Sequence, residues 1–315
     1  EAVTDTITLY TAVPTGWLLI NNGTAATASP SVTLTIAATD TFGLADMCLA
    51  NHTASCTTWE PFTPSHAWTL PMTDGSHLVT AYVRNLAGGV TPLTDDILLD
   101  TTPPTATVTA LAPYYTSLDF AVSWSGGDAG TGLVGFDIQV RDGGGPWTDW
   151  LTSTAALSAT FMGLDGHTYY FRARGFDAVG HVGDYASGAG DTSTFVDSRR
   201  PGGDLAINGG AVDTISSTVI LVLNSADATH MAFSADGTSF TAVEPFATTH
   251  PYQLPGGDGL KTVYVRYENI VGNTSIYSDT INLDTTVAGD VGLSIDNDDP
   301  VTTQVTVTLT LKALP

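Results

Sequence analysis

Met47-Cys-Leu-Ala-Asn-His-Thr-Ala-Ser-Cys-Thr-Thr-Trp-Glu-Pro-Phe62 lies over Met231-Ala-Phe-Ser-Ala-Asp-Gly-Thr-Ser-Phe-Thr-Ala-Val-Glu-Pro-Phe246 at a constant offset of 184 residues. The same offset carries downstream. His66 matches His250, Leu70-Pro71 matches Leu254-Pro255, Asp74-Gly75 matches Asp258-Gly259, and Ile97-Leu-Leu-Asp-Thr-Thr102 matches Ile281-Asn-Leu-Asp-Thr-Thr286. Tyr82-Val83-Arg84 and Tyr264-Val265-Arg266 also correspond, after a slip of two across a loop. Repetition on this scale means that one folding unit occurs more than once, so it is weighed before any local motif.

Pieces of the unit recur at both ends. Its closing strand reappears in Asp5-Thr-Ile-Thr-Leu-Tyr-Thr11. Its opening recurs as Leu19-Ile20-Asn21-Asn22, Ala206-Ile207-Asn208-Gly209 and Ser294-Ile295-Asp296-Asn297, the last followed by alternating Val305, Val307, Leu309 and Leu311. The expectation is a window cut from a longer array, or else a subunit whose split end domains are completed by neighbours.

Between the copies, residues 105–196 read differently and still read as β structure. Phe120, Val122 and Trp124 flank Ala121 and Ser123, and Phe136, Ile138 and Val140 alternate with Asp137, Gln139 and Arg141. Tyr169, Phe171 and Ala173 alternate with Tyr170, Arg172 and Arg174, which places the two arginines on the wet face. Short strands of period two, with turns every 8 to 12 residues and no helical period, predict β-sandwiches.

Length and charge agree. At roughly 150 residues per domain, 315 residues make two domains, or three small β modules. Hydrophobic residues at 43% exclude a disordered chain, and 32 acidic against 9 basic residues give a net charge of -23, which excludes nucleic acid as a partner. The longest apolar run, Val219 to Leu223, is far short of the roughly 20 residues that span a bilayer, so no membrane insertion is expected in this segment. Glu1 does not open the pattern of an export signal, so the sequence reads as a processed mature chain or a piece of a longer one.

Trp124, Gly135-Phe-Asp-Ile-Gln-Val-Arg-Asp142, Trp147-Thr-Asp-Trp150 and Gly166-His-Thr-Tyr-Tyr-Phe-Arg-Ala-Arg174 resemble bacterial fibronectin type III domains of secreted surface proteins. The family's corner tyrosine follows a leucine by six positions, whereas Leu164 precedes Tyr169 by five, so Tyr169 and Tyr170 are alternatives for the buried ring. The flanking copies resemble bacterial immunoglobulin-like repeats that close on Leu-Asp-Thr-Thr-Pro-Pro, here Leu99 to Pro104; in the second copy Val287-Ala288 replaces the two prolines. The expected layout is a closing strand at 1–14, an immunoglobulin-like domain at 15–103, a fibronectin type III domain at 104–197, a second immunoglobulin-like domain at 198–287 and opening strands of a further one at 288–315. The resemblance implies a tandem array on an exported protein.

In the second copy, Ala235-Asp236-Gly237 reads as a three-residue hairpin loop with glycine in the left-handed position. Transferred to the first copy, the loop is Asn51-His52-Thr53, and counting outward sets Cys48 against Cys56. The expectation is a cross-strand disulfide, with two buried free thiols as the alternative. Thr53 would then take the strained position of Gly237.

Other signals carry less. Asp296, Asp298 and Asp299 have oxygen ligands at a spacing that suits calcium, but the same turn is Asn21-Asn22-Gly23 and Asn208-Gly209-Gly210 elsewhere, which favours an ordinary turn. Asp100 and Asp284 recur at domain exits, where a cation would stiffen a junction; a capping role is the plainer reading. The seven histidines, His52, His66, His77, His167, His181, His230 and His250, show no metal-ligand spacing. Trp147 and Trp150 near a hairpin, and Trp59 and Trp68 around a loop, are candidate surface contacts for sugars or proteins, although Trp59 and Trp68 align with Val243 and Tyr252, as packing positions would.

No nucleophile elbow or phosphate loop is present. No catalytic residue and no cofactor is expected, calcium being the one candidate ion. The reading is a non-catalytic structural segment of an extracellular bacterial surface stalk, sheath or filament, whose partners are neighbouring copies or further domains of the same protein. The alternative is an adhesin, or an accessory module of a secreted enzyme that binds surface glycans or proteins.

Overall fold

The computed structural model describes residues 5, 9–52, 56–286, 292–295, 300, 301, 303 and 305–312. Among them every regular element is a strand, and no helix is long and apolar enough to cross a membrane. The chain divides into two compact units, residues 1–196 and 197–315.

In the first unit, β1 (Thr15–Ile20), β2 (Ala26–Thr27), β3 (Ser31–Thr39), β4 (Leu44–Asn51), β5 (Glu60–Pro61), β6 (Ser65–Thr69), β7 (Gly75–Asn85) and β8 (Val90–Leu99) build one sandwich. Its sheets run β1-β3-β6 and β2-β8-β7-β4-β5. A second sandwich follows from β9 (Thr105–Val108), β10 (Tyr114–Tyr115), β11 (Asp119–Gly127), β12 (Leu133–Asp142), β13 (Thr148–Thr154), β14 (Ser158–Met162), β15 (His167–Asp177) and β16 (Thr192–Val196), with sheets β9-β11-β14 and β10-β16-β15-β12-β13.

The second unit holds β17 (Gly203–Ile207), β18 (Asp213–Thr214), β19 (Thr218–Ser225), β20 (His230–Ser234), β21 (Glu244–Pro245), β22 (Thr249–Gln253), β23 (Gly259–Glu268) and β24 (Thr274–Leu283), in sheets β17-β19-β22 and β18-β24-β23-β20-β21. Beyond them β25 (Gly292–Ile295) pairs antiparallel with β26 (Leu309–Lys312). The three sandwiches share one strand order. In each, a two-residue strand pairs parallel to the last strand, β2 with β8, β10 with β16 and β18 with β24. The middle module therefore differs from its neighbours in side chains and not in topology.

Alternation builds these strands. On β19, Val219, Leu221 and Leu223 point inward and their neighbours outward. On β15, Tyr169, Phe171 and Ala173 are buried while Tyr170, Arg172 and Arg174 face the rim. Tyr169 is the buried corner ring, its hydroxyl accepting the Leu164 amide at 2.9 Å. The turns Asn21-Asn22-Gly23 and Asn208-Gly209-Gly210 all take positive φ, a region that Asn and Gly enter at least cost. The outer cores are largely aliphatic, around Ile20, Leu34, Ile36 and Ile97 and around Ile207, Leu221 and Ile281. The middle core is aromatic, built from Phe120, Trp124, Phe136, Phe161, Tyr169 and Phe171.

Cys48 and Cys56 are joined, with Cα atoms 5.9 Å apart. Their geometry departs from a direct cross-strand pair. The β4–β5 ladder runs only over Asp46↔Pro61 and Met47↔Glu60, and Cys56 lies outside the strands, in a loop closed by the bond. Gly237 has φ +75° as the hairpin reading requires, whereas Thr53 lies outside the described residues. Replacing both cysteines by alanine is expected to lower the unfolding free energy by about 2.5 kcal/mol, the loop-closure value for a loop this short. Urea unfolding of the oxidised protein against the double variant checks this, and equal midpoints would contradict it.

The expected closing strand at Asp5 to Thr11 is not a strand where the chain is described: Asp5 and Leu9 to Thr11 are irregular, and residues 6–8 lie outside the described residues. Tyr10 instead packs against Phe42, with the rings tilted by 31° and their centroids 4.9 Å apart, and its hydroxyl donates to Asp40 Oδ1 at 2.8 Å. The calcium candidates Asp296, Asp298 and Asp299 also lie outside the described residues.

Candidate functional site

The aromatic candidates are engaged within the fold. Trp150 packs edge-on against Trp124, Phe161 and Phe171 in the middle core. Trp147 carries the guanidinium groups of Arg141 and Arg172 at 4.7 and 4.3 Å. The series continues on both sides, with Arg141 over Tyr170 and with Arg172 and Arg174 over Tyr185. Arg174 closes it on the Asp137 carboxylate at 2.9 Å. Such stacking holds the long arginine side chains along the sheet face, each contact adding about 0.5–1 kcal/mol where exposed. In the first sandwich Arg84 lies over Trp59, and Trp68 donates its indole N–H to Asn51 at 2.8 Å.

The recurring histidines behave as repeat positions. His66 lies 3.7 Å from Glu60 and His250 lies 3.0 Å from Glu244. A groove of about 500 Å³ in the first sandwich is lined by Trp17, Ile36, Phe62 and Pro64 and by no titratable side chain, so it offers nothing for acid–base chemistry.

The polar features that stand out are at the domain exits. Asp74 accepts the Thr101 amide at 3.0 Å and the hydroxyls of Thr101 and Thr102, each at 2.8 Å. Asp258 accepts the Thr285 amide and hydroxyl at 2.8 and 2.7 Å, so the Leu-Asp-Thr-Thr ending is clamped alike in both copies. The threonine hydroxyls and amides hold both carboxyls below the usual carboxylate range. Because the folded value is depressed, this stabilisation is present above the ordinary carboxylate pKa and is lost as pH falls through the folded one.

The next residue upstream separates the copies. Asp284 is exposed and accepts only the amide and hydroxyl of Thr286 among the described contacts. Asp100 is fully buried. Its Oδ1 accepts the Thr102 amide at 3.2 Å, and its Oδ2 accepts the amide and hydroxyl of Thr131, both at 2.6 Å, from the loop between β11 and β12 of the middle sandwich. Burial alone would raise the Asp100 carboxyl, but the bonds from Thr131 and Thr102 outweigh it and hold the group below its ordinary value.

The surrounding loop is shaped to receive that carboxylate. A Cβ at Gly130 would stand 2.2 Å from the Asp100 carboxyl carbon, so only glycine lets the loop backbone close over it. Asp128 Oδ2 accepts the amides of Gly130 and Gly132 at 3.0 and 2.9 Å, which folds the loop around Thr131. Pro104 is buried, and a Cβ at Gly183 would meet its carbonyl oxygen at 2.2 Å. The Pro104 end of the linker is thus packed into the middle sandwich, while Thr101 to Pro103 are exposed.

Each sandwich also carries the same five-residue polar loop. Asn85, Asp177 and Asn269 accept, on Oδ1, the amides of Gly89, His181 and Asn273, and each donates its own amide to the carbonyl of that same residue. Asn85 Nδ2 donates to the Ala12 carbonyl at 3.0 Å and to Asp40 at 3.1 Å. Asn269 Nδ2 donates to Asp197 at 3.0 Å. In the middle sandwich the residue is Asp177, 4% exposed, and ligand atoms of Asp100, Asp177 and His181 lie within 4.8 Å of one another. His181 acquires neighbours that its spacing in sequence did not reveal. The signal that would have found it is the shared loop, Asn85 to Gly89 over Asp177 to His181 over Asn269 to Asn273.

No family model matches the chain, and no curated protein matches it. Among solved structures it is similar to fibronectin(III)-like modules of CbhA from Clostridium thermocellum, at 12% identity over 57% of this chain and 94% of that one, with a TM-score of 0.32. It is also similar to a 1.5-MDa bacterial ice-binding adhesin, at 14% identity over 86% and 98%, TM-score 0.43. A tetra-tandem repeat from the extending region of a large adhesion protein is similar at 19% identity over 87% and 75%, TM-score 0.29.

Proposed function

We propose that this chain is a non-catalytic structural segment of an extracellular bacterial surface stalk, sheath or filament, in which the first sandwich is fixed to the middle one. The observation that carries the reading is the buried exit residue Asp100, gripped by Thr131 under Gly130 while the adjoining linker is clamped by Asp74. A linker held by hydrogen bonds on both sides, with two prolines restricting its φ angles, transmits load and orientation where a flexible one would not. The acid-rich composition supports the same role, since a net charge of -23 keeps such segments from associating indiscriminately.

A glycan-binding accessory module is the weaker reading, because Trp147 and Trp150 already spend their rings on Arg141, Arg172 and the aromatic core. Antibodies raised against the purified chain are expected to label extended structures on the outside of intact source cells in immuno-electron microscopy. Labelling confined to the cell interior would overturn the proposal. A glycan array is expected to show no binding that Trp147→Ala abolishes.

A further inference from the structure

We propose that the groove beside Trp17 in the first sandwich binds a neutral oligosaccharide, one of whose pyranose rings stacks on the indole. The inference goes beyond the structural role above and does not depend on it, since the site lies wholly on the first sandwich.

Of the six tryptophans, five are engaged within the fold. Trp124 and Trp150 pack against each other in the middle core, Trp59 and Trp147 carry arginines, and Trp68 donates to Asn51. Trp17 is 49% exposed, and among the described residues no ring, cation or hydrogen-bond acceptor meets its indole. Packing does not ask for an indole there. Trp17 faces Ala37 across the β1–β3 ladder, and the equivalent pair in the second unit is Asp204 facing Asn224. The residues that follow, Leu18 and Leu205, are both buried, so each strand is held by its other face. The small Ala37 leaves the indole uncovered, and an exposed large ring beside a concave groove is how ligand sites present an apolar anchor.

The groove supplies the polar half. It holds about 500 Å³, within the roughly 300–1,000 Å³ of small-molecule sites. Alternation along β1 and β3 puts Thr15, Thr35 and Thr39 on the same outward face as Trp17, with Phe62 and Pro64 as further apolar lining. The hydroxyls of Thr15 and Thr39 lie 3.5 Å apart, a pair of groups that both donate and accept, as neighbouring sugar hydroxyls do. Thr15 and Thr39 also line a second hollow of about 350 Å³, where Tyr10, Val13 and Asp40 come together. A chain of sugar rings suits this course, because each ring offers a C–H face to an aromatic side chain and hydroxyls around its rim. Charge sets the class. No Lys or Arg lines either hollow, Asp40 is the one carboxylate there, and the chain carries a net charge of -23, so carboxylated or sulfated glycans are repelled and a neutral one is taken.

The test titrates the whole chain by calorimetry with cellohexaose, laminarihexaose and mannohexaose, with oligogalacturonate as the anionic probe and a proline decamer as the peptide probe. At least one neutral hexamer is expected to bind, and neither of the other two probes. Trp17→Ala is expected to weaken that binding by about 10-fold or more, the scale of losing one stacked ring. Its melting temperature is expected to match the parent's, because the indole is half exposed. Trp17→Tyr, which keeps a ring, is expected to fold and to recover part of the affinity, and Thr39→Val to weaken it by about 3-fold through one lost hydroxyl. No binding of any neutral hexamer, binding that Trp17→Ala leaves unchanged, or tighter binding of oligogalacturonate or of the proline decamer would each overturn the proposal.

Discussion

Replacing Phe171 by alanine is expected to cost the middle sandwich about 3–5 kcal/mol, the range for deleting a large ring from a core that cannot collapse around the space. Phe171 is fully buried, with Phe161, Trp150 and Phe120 ring centroids at 5.1, 5.7 and 6.3 Å. Edge-to-face pairs of this kind add to the burial gain, so removing the shared ring loosens several contacts at once. The loss is expected to appear as an early unfolding transition reported by Trp124 and Trp150 fluorescence, with the transition of the disulfide-bonded sandwich preserved. A single transition at the parent's denaturant midpoint would contradict the aromatic-core assignment.

That core was legible before any coordinates, because period two separates Tyr169, Phe171 and Ala173 from Tyr170, Arg172 and Arg174 without reference to any other part of the chain. The repeat likewise exposes the exit clamp, since Asp74 and Asp258 recur with their threonines. What escapes is whatever depends on which strands become neighbours. Trp147 reads as a surface platform because its position on a hairpin is a local property, while Arg141 and Arg172 reach it from β12 and β15 only once the sheet is paired. His181 shows no ligand spacing for the same reason, as its counterpart Asp100 belongs to another sandwich. The disulfide pairing follows from the repeat, but the loop geometry does not, because the β4–β5 ladder stops at Met47↔Glu60.

A second class of residue was hidden by its ordinariness, and it yields the other large effect. Asp191 Oδ2 accepts two backbone amides, Val108 and Ala173, both at 2.9 Å, and those amides belong to opposite sheets of the middle sandwich. Asp95 and Asp279 do half of this, accepting the first-strand amides of Ile20 and Ile207 at 2.7 and 2.8 Å from the last strand of the other sheet. A buried amide that loses its acceptor costs about 1–3 kcal/mol, more than the bond itself contributes. Asp191→Ala is therefore expected to cost about 2–5 kcal/mol, and Asp95→Ala or Asp279→Ala about 1–3 kcal/mol in its own sandwich. Urea unfolding of the three variants measures the ratio, and Asp191→Asn, which keeps a carbonyl oxygen, is expected to recover much of the loss. An Asp191→Ala cost no larger than that of Asp95→Ala would show that the second amide finds another acceptor and that the carboxylate does not join the sheets. If the ratio holds, part of the chain's acidity works inside the sandwiches, where a carboxylate satisfies main-chain donors that strand pairing cannot reach.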